Sequence, residues 1–441
     1  MSDCSEQQRV ACALGGIYTA LAINKVLPVL HCGPGCQQQA GAVLGRTNGG
    51  QNTYPFQETI LPCTDFCESE VIFGGSKKLR KLIEKSIDYI NSEMLIVVDG
   101  CTSEIVGDDI EEVAKSFYEQ DMPILYAKLP GFKGNNLYGH SQILNAIITQ
   151  YLKPASKINS KQVNVWGIVP YYDPMWQGTL EEIEKLLKII GLEPNIIYGR
   201  NKGLKEVNRI PEAEFNLLLS PWVDLDIVQE LEKRFNTPFL HYPNVPIGPS
   251  EISKFIRTVA DYANLSRDVV EKYIKEEEDR YYYYISRHIA WIYGCKFLPK
   301  EFFVISSASA ALAITKYFVN DLGLIPKKIY IVDDVPKEHQ ELVRNFFDEL
   351  ELEKRDFDIT FTDDGGLAAD EIENGKEVYR AVVFGSEWDI AFAKRNKFAF
   401  LPISAPYGDV LIGTKNYFGY EGALKLFADY YTELSNCGFR V

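Results

Sequence analysis

The sequence predicts an α/β protein built from parallel sheets, and two observations carry that expectation. Short runs rich in β-branched and aromatic residues alternate with segments of helical periodicity almost from end to end. Each strand–helix–strand unit takes about 30 residues, the length that a crossover between parallel strands requires. With 441 residues, and roughly 100 to 200 residues per domain, three such groups are the central expectation.

The expected strands are Val26–His31, Met94–Asp99, Pro123–Ala127, Val163–Val169, Phe215–Ser220, Phe302–Ser306, Lys328–Asp333, Phe357–Phe361, Val378–Phe384 and Phe398–Ile403. Helical patterns lie between many of them: Lys77–Asn91, Ile110–Glu119, Leu180–Ile190, Leu225–Phe235, Ser307–Asn320 and Lys337–Leu350. The first group closes near Lys153-Pro154-Ala155-Ser156, which divides the chain into domains at 1–155, 156–285 and 286–441, the third with a C-terminal helix. The charged stretch Arg267–Arg280 reads as a solvated helix face, and Tyr281–Tyr284 after it as a packing seam.

Composition removes several function classes. Hydrophobic residues make up 46% and charged residues 24%, which suits a globular chain with several cores. The net charge of −15, with no basic run, argues against a nucleic-acid partner. Apolar stretches such as Val26–Leu30 and Met94–Val98 fall far short of the ~20 residues of a membrane-spanning helix. Met1–Glu6 lacks the basic and apolar regions of a signal peptide, so a cytoplasmic protein is expected. No Walker A sequence occurs, and the turn after Phe302–Ser306 opens with serines and alanine instead of a glycine fingerprint.

Cysteine placement is the informative irregularity. Of nine cysteines, Cys4, Cys12, Cys32, Cys36, Cys63, Cys67 and Cys101 fall in the first 101 residues. In a reducing compartment these are buried structural thiols or metal ligands. Zinc favours paired CxxC spacings, whereas Cys32/Cys36 and Cys63/Cys67 are CxxxC, so an iron–sulfur cluster leads the metal readings. Cys12 precedes Ala13-Leu14-Gly15-Gly16, while Cys36 ends His31-Cys32-Gly33-Pro34-Gly35-Cys36 directly after an expected strand. Cys101 opens Cys101-Thr102-Ser103-Glu104-Ile105-Val106-Gly107-Asp108-Asp109 after another. Loops beyond the carboxyl ends of parallel strands converge on one edge, so Cys36 and Cys101 can share a site.

These segments resemble component 1 of nitrogenase and its nitrogenase-like relatives. Cys12 with its glycine pair is similar to the family's first ligand context, His31–Cys36 to its His-Gly-x-x-Gly-Cys, and Cys101–Asp109 to its Cys-x-x-Glu-x-x-Gly-Asp-Asp. Val71-Ile72-Phe73-Gly74-Gly75, Pro130–Gly134, Pro246-Ile247-Gly248 and Gly419–Ala423 match further on, in family order. The resemblance implies three doubly wound, Rossmann-like domains. It also implies an iron–sulfur cluster, either an [8Fe–7S] P-cluster or [4Fe–4S], held across a pseudo-twofold with a related subunit. A heterotetramer or a homodimer would result, and an ATP-hydrolysing iron protein homodimer would dock there. By carry-over the ligands are Cys12, Cys36 and Cys101, with Cys32, Cys63 and Cys67 as possible extra ligands or spare thiols.

Catalytic α subunits hold their active-site cofactor through a Cys and a His. Here Ser220 stands where that Cys would be, and Leu401–Pro406 has no His, so no cofactor of that type is expected on this chain. The chain reads as more β-like than α-like. Cys295 and Cys437 are expected to be structural, and His31 to satisfy a neighbouring carbonyl. His140 and His241 are expected in loops, and Glu104, Asp108 and Asp109 as caps or dipole partners. The leading function is the electron-relay subunit of a nitrogenase-like reductase. The alternatives are a cofactor-assembly scaffold, or a tetrapyrrole or carbon–sulfur-cleaving reductase subunit.

Overall fold

The structure is a computed structural model in which residues 6–46, 61–117, 120, 122–295, 299–352, 357–375, 380–407 and 412–437 are described. Cys4 and the side chain of Cys295 lie outside them. Twelve strands are found among the described residues, and they form three sheets in which every pairing is parallel. The first sheet contains β1 (Val26–His31), β2 (Met94–Asp99) and β3 (Ile124–Lys128), in that order. Every residue of β1 and β2 is buried. Helices cover both faces of such a sheet, which is why these strands read as unbroken apolar runs.

The second sheet comprises β4 (Asn159–Trp166), β5 (Glu193–Asn195), β6 (Ala213–Leu218) and β7 (Phe239–His241), ordered β5-β4-β6-β7. The third has β8 (Glu301–Ser306), β9 (Ile325–Ile331), β10 (Asp358–Phe361), β11 (Ala381–Gly385) and β12 (Ala399–Pro402), ordered β10-β9-β8-β11-β12. Both reverse direction at their first strand, the doubly wound arrangement that opens a crevice at the carboxyl edge. The amphipathic helices Ser76–Tyr89 and Leu225–Phe235 each turn an apolar stripe inward, through Leu79 and Ile83 and through Ile227, Val228 and Leu231.

Several elements differ from expectation. The charged helix runs from Arg267 to Cys295, past Arg280 where the charged stretch ends. Of its tyrosines at 281–284 only Tyr281 is buried, its hydroxyl 3.1 Å from that of Tyr317, while Tyr282, Tyr283 and Tyr284 are exposed, so the packing seam is one residue wide. Helices at Asn136–Ala146 and Gly248–Tyr262 are additional to the expected ones. The first is capped by Asn135, whose carboxamide oxygen accepts from the N–H groups of Leu137 and Tyr138. Its Gly139 crosses the turn after Cys12 so closely that a Cβ there would lie 2.0 Å from the Ala13 carbonyl oxygen. This close approach gives the glycine pair after Cys12 its purpose. Far along the chain, the Gly419 N–H donates to the Pro246 carbonyl (2.9 Å), joining two of the quoted motifs.

Candidate functional site

Three cysteines come to the carboxyl edge of the first sheet by three routes. Cys36 lies in the first turn of the helix Pro34–Arg46 that follows β1, and Cys101 opens the helix Cys101–Val106 after β2. Cys12 pairs through its backbone with Asn135, beyond β3. Cys12 and Cys36 are exposed and Cys101 is half-buried. A Cβ placed on Gly131 would lie 2.6 Å from the Cys12 sulfur and 3.5 Å from that of Cys101, so both face one point that only glycine leaves open. The Gly131 N–H donates to Cys101 Sγ (3.1 Å). Burial raises the pKa of Cys36, and the next causes are the charges of Cys12 and Cys101 beside it. Burial and the nearby Cys12 likewise push Tyr18 far above the usual phenol range.

Among the described residues no three His, Cys, Asp or Glu side chains are grouped to hold a single metal ion. An all-thiol set at an exposed edge, with a glycine hollow between two of its sulfurs, fits an iron–sulfur cluster wider than one ion better than it fits zinc.

The other early cysteines divide. Cys32 and Cys63 are neighbours, with sulfurs 3.8 Å apart. The contact with Cys63, ahead of burial, raises the Cys32 pKa, and that same contact lowers the Cys63 pKa. Cys67 points elsewhere, its thiol donating to the Asp65 carbonyl (3.3 Å). The thiol of Cys437 donates to the Phe398 carbonyl (3.3 Å).

Asp108 holds the edge in shape. One of its oxygens accepts from the Gly75 N–H (2.7 Å) and lies 3.0 Å from His31 Nε2, and the other accepts from the Ser76 hydroxyl (3.2 Å). His31 is fully buried and its Nδ1 lies 3.2 Å from the Thr64 hydroxyl, so its partners are side chains and not the carbonyl expected. Asp109 caps the helix Ile110–Lys115 by accepting from the Glu112 N–H (2.9 Å). Glu104 pairs with Lys133 and Lys128. Lys133 first, then Asp99, hold Glu104 down to about 2, while burial and Glu104 push Asp99 up to about 7.

Neither His140 nor His241 is in a loop. His140 is buried in the helix Asn136–Ala146, 2.7 Å from the Thr19 hydroxyl and 3.0 Å from an Asp224 oxygen. His241 ends β7, with Nε2 2.8 Å from the Ser220 carbonyl. Ser220 is buried, and its hydroxyl accepts from the Val223 N–H (3.1 Å) as a turn cap.

Two features have no signal in the sequence. One is a cavity of about 450 Å³ between the N-terminal segment, the loop after β4 and the segments after β11 and β12, walled in part by Arg9, Tyr18, Tyr171, Trp176 and Trp388. The other is an apolar rim beside the thiols. Ile72 and Phe73 on the helix Glu68–Phe73 are 71% and 85% exposed, and that helix lies against Cys101–Val106, whose Ile105 is 75% exposed. No helix among the described residues is long and apolar enough to cross a membrane.

Comparison with known proteins gives these features a context. Residues 11–435 match the profile of the nitrogenase component 1 type oxidoreductases. Among the curated relatives, a subunit of the light-independent protochlorophyllide reductase of Pyropia yezoensis is 24% identical, covering 79% of this chain and 68% of its own. The nitrogenase molybdenum-iron protein beta chain of Methanococcus maripaludis is also 24% identical, covering 74% and 75%. A solved structure of nitrogenase Cp1 at pH 6.5 superposes with a TM-score of 0.81 at 19% identity, over 99% of this chain and 94% of that one.

Proposed function

Because the chain belongs to the nitrogenase component 1 type oxidoreductase family, we propose that it is the electron-relay subunit of a nitrogenase-like reductase. On this reading Cys12, Cys36 and Cys101 supply one subunit's share of an iron–sulfur cluster, [4Fe–4S] or [8Fe–7S], and a related subunit closes the other side. The observation that carries the reading is the outward convergence of Cys12 and Cys101 on the Gly131 hollow, with Cys36 beside them. An all-protein core has no use for exposed Cys12 and Cys36, nor for exposed Ile105 on the helix that Cys101 opens and exposed Ile72 and Phe73 on the helix packed against it, whereas a subunit interface does.

When bound, such a cluster accepts and passes on low-potential electrons one at a time. The chain's residues hold and tune it. Three thiols deprotonate to become ligands, and the Gly131 N–H directed at Cys101 Sγ stabilises its negative charge, which shifts the potential upward. Gly131 keeps the space between Cys12 and Cys101 free of side chain. Electrons would come from an ATP-hydrolysing iron protein homodimer at the apolar rim and leave to a substrate or cofactor site shared with the partner subunit. Ser220, committed to its turn cap, offers no thiolate for a second metal cofactor in this chain.

The test is anaerobic reconstitution with iron and sulfide alongside the partner subunit. Cys12→Ala, Cys36→Ala and Cys101→Ala should each lower iron content and abolish reduction by the iron protein, and Cys437→Ala should change neither. Full iron content with an unchanged electron paramagnetic resonance signal in Cys101→Ala would overturn the ligand set.

A further inference from the structure

Cys32 and Cys63 take no part in that reading, and their placement suits a different chemistry. We propose that they form a redox-active dithiol that exchanges with small-molecule disulfides and closes to a Cys32–Cys63 bond when the chain is oxidised.

The geometry is prepared by the backbone. Leu30 donates its N–H to the Pro62 carbonyl (2.8 Å), Thr64 to Leu30 (2.9 Å) and Phe66 to Cys32 (3.1 Å), so the segment from Pro62 to Phe66 lies beside the end of β1 like a short extra strand. The Thr64 hydroxyl also accepts from the Cys32 N–H (3.1 Å). Both cysteines are thereby fixed in position before any reaction, with free sulfurs 3.8 Å apart. Rotation of the two side chains is the motion that closes that gap towards a bond of about 2.0 Å.

The two thiols are unequal in access, which sets the order of events. Cys32 is 1% exposed, beneath the surface, and Cys63 is half-buried with its sulfur receiving the Asp65 N–H (3.4 Å). A disulfide arriving from solvent, such as glutathione disulfide, therefore meets Cys63 first. The Cys63 thiolate attacks one of its sulfurs. A Cys63–glutathione bond forms, the original sulfur–sulfur bond breaks, and one glutathione thiolate leaves and takes up a proton. Cys32 then releases its proton to solvent and attacks Cys63 Sγ, expelling the second glutathione thiolate. Two protein thiols are oxidised and one glutathione disulfide is reduced to two thiols.

The pair lies directly beneath the exposed thiols. Cys36 follows Cys32 by four residues, and a Cβ on Gly100, the residue before Cys101, would lie 2.7 Å from that of Cys32. The dithiol thus reports the redox state of the surroundings at the floor of the site without supplying a ligand.

The experiment uses the full chain, purified anaerobically, incubated with glutathione disulfide, alkylated, digested and examined by mass spectrometry. The principal product should be a Cys32–Cys63 linked peptide that dithiothreitol reverses. In Cys32→Ser the reaction should stop at a glutathione adduct on Cys63, and in Cys63→Ser residue Cys32 should stay reduced. A Cys32–Cys36 bond as the main product, or a stable adduct on Cys63 in the parent, would overturn the proposal. Both serine variants should keep the parent's iron content on reconstitution. Iron loss as deep as that of Cys36→Ala would make the pair ligands and also overturn it. Because the exchange is read without metal, failure of the parent to take up iron would count against the cluster reading and leave the dithiol result standing.

Discussion

At the carboxyl edge of the first sheet Cys12 and Cys36 are exposed and Cys101 is half-buried, with exposed apolar side chains on the helix that Cys101 opens and on the helix packed against it, whereas the corresponding edge of the third sheet is closed. There Ser386 and Asp389, just after β11, receive the guanidinium of Arg9 from the N-terminal segment: one nitrogen lies 2.8 Å from Asp389 Oδ1, another 3.0 Å from Oδ2 and against the Ser386 hydroxyl. The paired side chains are each 1% exposed. Beside them Asp333, beyond β9, accepts from the Ala308 N–H (3.0 Å) and from Trp222 Nε1 (3.2 Å). Two edges with the same strand-to-helix plan thus serve opposite ends. One pairs its buried charges within the chain and ties the N-terminal segment to the third sheet. The other leaves thiols and apolar area exposed, as a surface to be covered requires.

The sharpest way to break this comparison is to remove Arg9. Arg9→Ala leaves the Asp389 carboxylate buried without its cation and should cost about 3–5 kcal/mol in urea unfolding, while Cys36→Ala should cost less than about 0.5 kcal/mol and remove iron. Equal losses of stability in the two variants would show the thiol edge to be core.

Gly131→Ala comes next. Its Cβ meets the Cys12 sulfur at 2.6 Å, so a stability cost of about 1–3 kcal/mol is expected from overpacking, together with reduced iron uptake. Unchanged iron uptake would mean that the hollow is not part of the site.

A pH series sharpens the other side. Burial holds Asp333 up at about 6, above its ordinary 3.8. Its proton in the folded state therefore contributes stability that is fully present below the unfolded value and is lost as pH rises through about 6. Between pH 4 and 6.5 the parent should lose on the order of 2 kcal/mol relative to Asp333→Asn, which keeps an oxygen for both donors; parallel stability curves would refute this. The smallest effect on folding belongs to the rim. Phe73→Ser should change stability by no more than about 0.5 kcal/mol, yet weaken association with the partner subunit or iron protein in sedimentation experiments. Unaltered association would remove the rim from the interface.

What is legible in the sequence follows from the range of each signal. β1 and β2 can be read residue for residue, because buried parallel strands leave unbroken apolar runs between polar breaks. β5 and β7 escape, β5 wholly and β7 likewise, because three residues carry no periodicity. Cys12, Cys36 and Cys101 are picked out by their glycine-rich settings and by resemblance. Arg9 is not, since its partner lies 380 positions away and nothing local marks it. The Cys32–Cys63 contact is hidden for the same reason: the bridge between Leu30 and Cys63 that creates it pairs a strand with an irregular segment. His140 reads as a loop residue because Gly139 beside it argues against helix, while the crossing with Ala13 that demands the glycine is a tertiary fact.

Cys12 occupies a span anchored at both ends. On one side the N–H groups of Glu6 and Gln7 donate to Asp364 (3.1 and 3.0 Å), and Arg9 is clamped to Asp389, both acids lying beyond strands of the third sheet. On the other, Ala13–Gly16 is wedged against Gly139 of the helix Asn136–Ala146. Cys36 and Cys101 are rooted in the first sheet alone. A small shift of the third sheet against the first would therefore act as tension on one sulfur of the three and change its distance from the other two, giving a distant sheet a mechanical hold on these thiols.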